Sequence, residues 1–91
     1  MSLKFAKSLQ GHDKNKIYVV LKEDENFVYL INGKEKTTDK PKKKKLKHIQ
    51  IIKYLPQEVI EIVSDESVLS DEEASKMIQI YLRSIQCQKQ M

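Results

Sequence analysis

Apolar and polar residues alternate or cluster in short stretches through the first half of the chain, a pattern typical of β-strands. In the first stretch the alternation has one exception, Lys7. The second and third stretches are rich in β-branched and aromatic residues, which favour strands. The pattern predicts five strands, at residues 3–9, 16–22, 27–31, 34–38 and 46–52. Five short strands with brief connections favour a small, strongly bent antiparallel barrel.

Turn-forming residues separate the first four predicted strands. Gly11 supplies free backbone and Asn15 tolerates a positive φ, so residues 10–15 are predicted to form a turn. Asn32 and Gly33 make the dipeptide best suited to a two-residue hairpin turn. The fourth predicted strand should therefore pair back directly on the third.

The pattern changes after Pro56. Residues 57–63 form a short apolar segment that fits one or two helical turns. Ser70, with Glu73 three residues later, predicts a capping box at the start of a helix. Behind it, apolar residues recur at helical spacing, at Ala74, Met77, Ile78, Tyr81, Leu82 and Ile85. This stripe predicts an amphipathic helix, with residues 86–91 fraying at its end.

The length of 91 residues allows one folded body and no second one. We divide it into a barrel at residues 1–53 and a helical extension at residues 54–91. The apolar stripe of the helix is too large to leave in water, so it should pack on the barrel or on a second copy. We favour the barrel, and hence a monomer, because packing on the same chain needs no concentration.

Charge is distributed unevenly along the chain. Residues 1–53 hold 14 lysines and 6 acidic residues, whereas residues 54–91 hold 3 basic and 7 acidic residues. Six of the lysines and a proline fall within residues 40–47, and such a run should lie in water or against an anion. A basic surface of this size favours polyanions such as nucleic acid or an anionic membrane.

A solvated loop is the simplest interpretation of residues 40–47. Against it, the run lies inside the folded part, and further lysines flank other turns of the predicted barrel, namely Lys7, Lys14, Lys16, Lys34 and Lys36. The basic half contains no arginine, so it lacks the planar fork that reads base edges. We therefore expect contacts with phosphates and recognition of shape, for which structured RNA is the natural partner.

Other chemistry finds little support in the sequence. A single cysteine, Cys87, excludes an internal disulfide, and no apolar run approaches the roughly 20 residues of a membrane helix, so we expect a cytoplasmic protein that does not enter membranes. Cys87, His12 and His48 form no oriented nucleophile and base, and neither histidine has a metal partner at ligand spacing. We predict a protein without catalytic activity, metal, cofactor or small-molecule substrate.

Aromatic side chains offer a possible stacking surface for unpaired bases. The candidates are Phe5, Tyr18, Phe27, Tyr29 and Tyr54. Because their strands are rich in aliphatic residues, we favour core or half-buried packing for each of them.

Residues 10–20, continued by residues 28–34, resemble the KOW motif, and the lysine-rich residues 40–48 strengthen the match. The resemblance extends over about residues 3–53 and points to the small bacterial KOW-domain RNA-binding proteins, which are similar to KOW-type large-subunit ribosomal proteins. It implies a mainly β fold, an SH3-like five-stranded barrel, here followed by the C-terminal helix. It also implies binding to ribosomal RNA or another structured RNA.

The glycine of the motif matches Gly11, and its polar turn, which lies close to RNA backbone in this family, matches Asp13, Lys14 and Lys16. Asn15 stands where many members carry glycine, but asparagine can hold the same positive-φ turn. The candidate RNA-binding residues are Gly11, His12, Lys14, Asn15, Lys16, Lys34, Lys36, Lys40, Lys42, Lys43, Lys44, Lys45 and Lys47.

The main hypothesis is a non-catalytic, ribosome-associated RNA-binding protein with a role in translation. The alternative is an SH3-like adaptor that binds an acidic translation or transcription partner, since lysines serve acidic proteins equally well. The chain has no tryptophan, which argues against capture of proline-rich peptides.

Overall fold

The structure is a computed structural model that describes residues 3–53, 55–62 and 70–89, with side chains up to residue 85. Five strands are followed by two helices. The strands are β1 (Phe5–Ser8), β2 (Ile17–Glu23), β3 (Phe27–Ile31), β4 (Lys42–Lys45) and β5 (Ile49–Ile52), the helices are α1 (Gln57–Ile62) and α2 (Asp71–Lys89), and a 3₁₀ turn (Leu46–His48) joins β4 to β5.

The strands form one antiparallel sheet in the order β4-β3-β2-β1-β5. Within the described residues this ladder is open between β4 and β5, so the sheet is not a closed barrel. The 3₁₀ turn is anchored at both ends by backbone hydrogen bonds, from Leu46 N to Asn26 O (2.9 Å) and from Leu9 N to His48 O (2.9 Å). The 3₁₀ turn therefore contacts two loops, the one between β2 and β3 and the one after β1.

The fourth strand is not where the sequence predicts it. The side chain of Asn32 accepts hydrogen bonds from the backbone N–H groups of Lys34 (2.9 Å) and Lys36 (3.0 Å), and Gly33 N donates to Lys36 O (3.0 Å). These bonds fold the chain into a local turn instead of a two-residue hairpin. The prediction of a strand at 34–38 is therefore wrong, and the lysine-rich β4 pairs with β3 instead.

The lysines of β4 form a strand because it lies at the edge of the sheet. Successive side chains of a strand point to opposite faces, so Lys42 and Lys44 turn inward and are half-buried, while Lys43 and Lys45 are exposed. Lysine at an edge also discourages pairing with another chain. Lys44 meets the expectation that the run lies in water or against an anion in its second form, because its side chain is only 11% exposed and pairs with the carboxylate of Asp13.

Each face of the sheet carries a buried apolar cluster. One face packs against α1 and α2 through Phe5, Val19, Ile31, Leu55, Val59, Ala74, Met77 and Ile78. The other face closes on itself through Ala6, Tyr18, Val28, Leu30 and Ile49, which come from four different strands. Since no described helix contributes to this second cluster, the sheet must curl around it.

The helices begin as the sequence predicts. Glu73 N donates to Ser70 Oγ (3.1 Å) and Ser70 N donates to Glu73 Oε1 (3.2 Å), which confirms the capping box of α2. The apolar stripe packs on the sheet, although Leu82 is 43% exposed. The helix continues to Lys89, beyond the predicted start of fraying, and neither described helix is long and apolar enough to cross a membrane. Val63, the last residue of the apolar segment predicted at residues 57–63, lies outside the described residues.

Candidate nucleic-acid interface

The loop between β1 and β2 carries the residues that resemble the KOW motif. Two of its residues have a positive φ, Gly11 at 93° and Asn15 at 75°, which confirms that asparagine holds the expected turn. Asn15 N donates to Ser8 O (2.8 Å) and Lys16 N donates to Asp13 O (2.9 Å), so the loop is closed by its own backbone. The candidate residues of this loop are all exposed: Gly11, His12, Lys14, Asn15 and Lys16.

Asp13 is the exception in this loop, because its side chain points into the protein and is 7% exposed. Its carboxylate accepts hydrogen bonds from Ser8 Oγ (2.8 Å) and Tyr18 OH (3.0 Å). It also forms ion pairs with Lys42 Nζ (2.8 Å) and Lys44 Nζ (2.7 Å). The anion that two lysines of β4 contact is thus an aspartate of the same chain.

The pKa values of this network reflect its charges. Burial by itself raises the pKa of Asp13, but hydrogen bonds from Lys42, Lys44, Ser8 and Tyr18 outweigh it and hold the pKa well below its ordinary value. Burial and the hydrogen bond to the Asp13 carboxylate raise the pKa of the Tyr18 hydroxyl well above its ordinary value. Asp13 is therefore ionised and Tyr18 is protonated at neutral pH.

The network also links distant parts of the sheet. Lys44 Nζ donates to Ser8 Oγ (2.6 Å) and to Gln10 O (2.8 Å), although β3 and β2 lie between β4 and β1 in the sheet order. Side chains, rather than a backbone ladder, bring β4 to the loop after β1. The loop that resembles the KOW motif and the lysine run are therefore neighbours in space.

At one end of β4, basic residues from three parts of the chain line a shallow pocket of about 170 Å³. His12 and Lys16 come from the loop after β1, Lys36 from the turn after β3, and Lys42 from β4. Tyr18, Asn32, Asp13 and Glu35 complete the lining. The structure thus brings together four of the predicted site residues, with two acidic residues among them.

At the other end of β4, the exposed lysines lie beside aromatic residues. The register pairs Lys45 with Phe27 and Lys43 with Tyr29, which places all four side chains on the outer face of the sheet. Lys43 Nζ lies 4.3 Å from the centroid of the Phe27 ring. Lys22 Nζ lies 5.9 Å from the centroid of the Tyr29 ring.

The remaining candidates lie apart from these two groups. Lys34 and Lys40 are exposed in the turn that joins β3 to β4, and Lys47 is exposed on the 3₁₀ turn. Thr38 N, in the first of these segments, donates to Asp71 Oδ1 at the start of α2 (2.8 Å). The acidic first turn of α2 is therefore anchored beside that turn.

Sequence reasoning assigned Asp13 to a polar turn and missed its role as acceptor for two lysines. The signal was present, since Asp13 is the only acidic residue before Glu23, and an alternating lysine strand must turn every second side chain inward. The interpretation of the aromatic residues is confirmed for four of them: Phe5 and Tyr18 are buried, and Phe27 and Tyr29 are half-buried. Tyr54 lies outside the described residues.

A scan of the chain against protein-family models finds no match, and a search of curated proteins finds none at the threshold applied. The resemblance to KOW proteins therefore rests on the loop and lysine residues described above.

Proposed function

We propose that this protein is a non-catalytic RNA-binding protein, and that exposed lysines at both ends of β4 and on the neighbouring turns contact RNA phosphates. The supporting observation is that alternate lysines of β4 have different surroundings. Lys42 and Lys44 form ion pairs with Asp13, whereas Lys43 and Lys45 point outward and form no ion pair with any acid in the described part of the chain. The ammonium groups of Lys42 and Lys44 thus link β4 to the neighbouring loop, and those of Lys43 and Lys45 are available to a ligand.

Further exposed lysines extend this surface. Lys14, Lys16, Lys34, Lys40 and Lys47 are exposed as well, and the described salt bridges involve none of them. Lysines bind phosphate as point charges and position a protein on a backbone without reading bases. Folded RNA, whose contours carry information, suits such a surface, and the resemblance to KOW proteins makes ribosomal RNA the first candidate.

We also propose that the curled sheet is an SH3-like barrel that stays open between β4 and β5. The interior cluster draws residues from β1, β2, β3 and β5, as the interior of a small barrel does. The ion pairs of Asp13 link β4 to the loop after β1, although β4 pairs through its backbone with β3 alone among the described strands. This arrangement places the candidate loop beside the lysine strand.

The test compares two double variants with the same net charge. Lys43→Gln/Lys45→Gln removes the outward lysines of β4, and Lys53→Gln/Lys76→Gln removes two exposed lysines outside the proposed surface. Fluorescence anisotropy with ribosomal RNA fragments between about 50 and 200 mM salt gives the affinity and its salt dependence. We expect the first variant to bind about tenfold more weakly. The slope of log affinity against log salt concentration should also become shallower by about one to two units, because each phosphate contact that is lost means one counterion fewer released on binding.

Equal effects of the two variants would mean that net charge alone attracts RNA, and would overturn the proposal. Sedimentation of the tagged protein through a gradient of cell lysate provides an independent test. Co-migration with ribosomes that is lost after RNase treatment and in the Lys43→Gln/Lys45→Gln variant supports RNA binding. Complexes with proteins that persist after RNase treatment would instead indicate the adaptor function.

A further inference from the structure

An open groove lies where the turn between β2 and β3 meets the end of β4. Its volume is about 460 Å³. The lining residues are Glu25, Asn26, Phe27, Lys45, Leu46 and Lys47. The groove therefore combines an aromatic ring, an aliphatic side chain, two lysines and two polar side chains.

The ring of Phe27 differs from the aromatic rings of the core. The Phe5 ring is fully buried and forms a T-shaped pair with Tyr81, with 5.2 Å between the ring centroids, and the Tyr18 hydroxyl donates to Asp13. Phe27 is half-buried, and its ring face is directed toward the exposed Lys43, 4.3 Å away. A flexible lysine side chain can swing aside, whereas core atoms cannot, so this ring face is accessible to a ligand.

A nucleotide matches the chemistry of this groove. Nucleobases stack on aromatic side chains regardless of sequence, and lysines beside the ring can take up the phosphate. Lys43, Lys45 and Lys47 are all exposed next to the ring or at the groove, and Asn26 and Glu25 carry groups that hydrogen-bond to base edges. Bases within a duplex stay stacked on each other, so only an unpaired base can reach the ring.

We propose that this groove binds one unpaired nucleotide of a folded RNA, with its base stacked on Phe27 and its phosphate held by Lys43 and the groove lysines. This inference rests on the proposed RNA-binding function and deepens it. Phosphate contacts recognise the RNA fold in general, and the groove selects RNAs that present a bulged or looped-out nucleotide. The Lys43 ammonium moves from the ring to the phosphate when the base enters.

The test uses two RNA hairpins that differ only in one bulged nucleotide, one with the bulge and one fully paired. The variants are Phe27→Leu and, as matched control, Tyr29→Leu, which removes a half-buried aromatic from the same sheet face outside the groove. We expect the wild type and the Tyr29→Leu variant to prefer the bulged hairpin about tenfold or more, in line with the energy of one base stacked on an aromatic ring. Phe27→Leu should bind both hairpins equally, with unchanged affinity for the paired one.

A second variant reports the contact directly. The chain contains no tryptophan, so Phe27→Trp places the only tryptophan in the groove, and its emission can be excited apart from that of the tyrosines. A base stacked on the indole should quench its fluorescence, so we expect quenching by the bulged hairpin and much less by the paired one. Thermal unfolding followed by circular dichroism verifies that each variant is folded.

The outcomes separate this inference from the proposed function. A wild-type protein that binds neither hairpin nor any ribosomal RNA fragment overturns both. Wild-type binding to both hairpins with equal affinity, or a preference for the bulge that survives in Phe27→Leu, leaves the proposed function standing and overturns the stacking site. Equal quenching of the tryptophan variant by both hairpins overturns it as well.

Discussion

Asp13 shows how one carboxylate organises a basic surface. Its carboxylate accepts hydrogen bonds from two ammonium groups and two hydroxyl groups, and the residue as a whole is only 5% exposed. No buried side-chain nitrogen or oxygen among the described residues lacks a hydrogen-bond partner, so the network is complete. Complete buried networks are rigid, and removing one member leaves the other charges unpaired.

Replacing Asp13 should therefore cost more than replacing an exposed acid. We expect Asp13→Asn to lower the free energy of unfolding at pH 7 by about 3 kcal/mol, because Lys42 and Lys44 lose their partner, and the exposed Asp39→Asn to change it by less than about 0.5 kcal/mol. Urea denaturation followed by circular dichroism measures both values. A loss in Asp13→Asn no larger than in Asp39→Asn would show that the ion pairs add nothing.

The pH dependence has a defined sign. Because folding lowers the pKa of Asp13, its stabilising contribution is complete above the unfolded-state pKa of about 4 and declines as pH falls below it. The difference in stability between the wild type and Asp13→Asn should accordingly narrow between about pH 4 and pH 2. Parallel pH profiles of the two proteins would contradict this explanation.

The turn after β3 packs tightly against the start of α2. Gly33 has a φ of 82°, and a Cβ atom there would lie 2.9 Å from the Cβ of Ser75 and would collide with the carbonyl oxygen of Asp71. Thr38 N also donates to the Asp71 side chain (2.8 Å). Two independent contacts thus fix where α2 begins.

The two glycines of the chain provide a matched comparison. At Gly11, with a φ of 93°, an added Cβ would meet its nearest atoms at 3.5 and 3.8 Å, an ordinary contact distance. We expect Gly11→Ala to cost about 1–2 kcal/mol from backbone strain alone. Gly33→Ala should cost at least about twice as much, because it also displaces the start of α2. Thermal unfolding measures the stability of both variants. Equal losses of stability would mean that the start of α2 can move to accept the added methyl group without destabilising the protein.

The whole protein is held together by two apolar clusters that share the same strands. Phe5 and Ala6 are sequence neighbours on β1, yet Phe5 belongs to the cluster beneath the helices and Ala6 to the cluster inside the curled sheet. Neither cluster can be lost without disturbing the strand between them. The helices are therefore part of the fold that carries the basic surface, and not an appendage to it.

Unfolding should consequently be a single transition. Met77 is fully buried in the cluster beneath the helices, and we expect Met77→Ala to lower the free energy of unfolding by about 2–5 kcal/mol. Far-ultraviolet circular dichroism follows mainly the helices, and near-ultraviolet circular dichroism, measured in a Tyr81→Phe background that removes the tyrosine of α2, reports on the tyrosines of the sheet, Tyr18 among them. Both signals should shift together, whereas Leu82→Ala on the exposed side of α2 should shift them little. Earlier loss of the helix signal alone would show that the sheet folds independently.

Local patterns were sufficient to predict several elements from the sequence. The β-branched runs at β2 and β3, the capping box at Ser70 and the apolar stripe of α2 lie where the sequence predicts them. Each depends on neighbouring residues alone, through propensity, capping or periodicity. The sequence also determined that the positive charge concentrates in residues 1–53.

Only the tertiary structure decided which segment became the fourth strand and what its lysines do. Asn32 turns the chain locally, and β3 then pairs with Lys42–Lys45, an arrangement in which the ends of Lys42 and Lys44 reach Asp13 across the curled sheet. Local sequence patterns do not specify which distant residues become partners, since pairing and burial depend on where the whole chain places each side chain. The same placement decides which lysines form ion pairs within the protein and which remain available to a ligand.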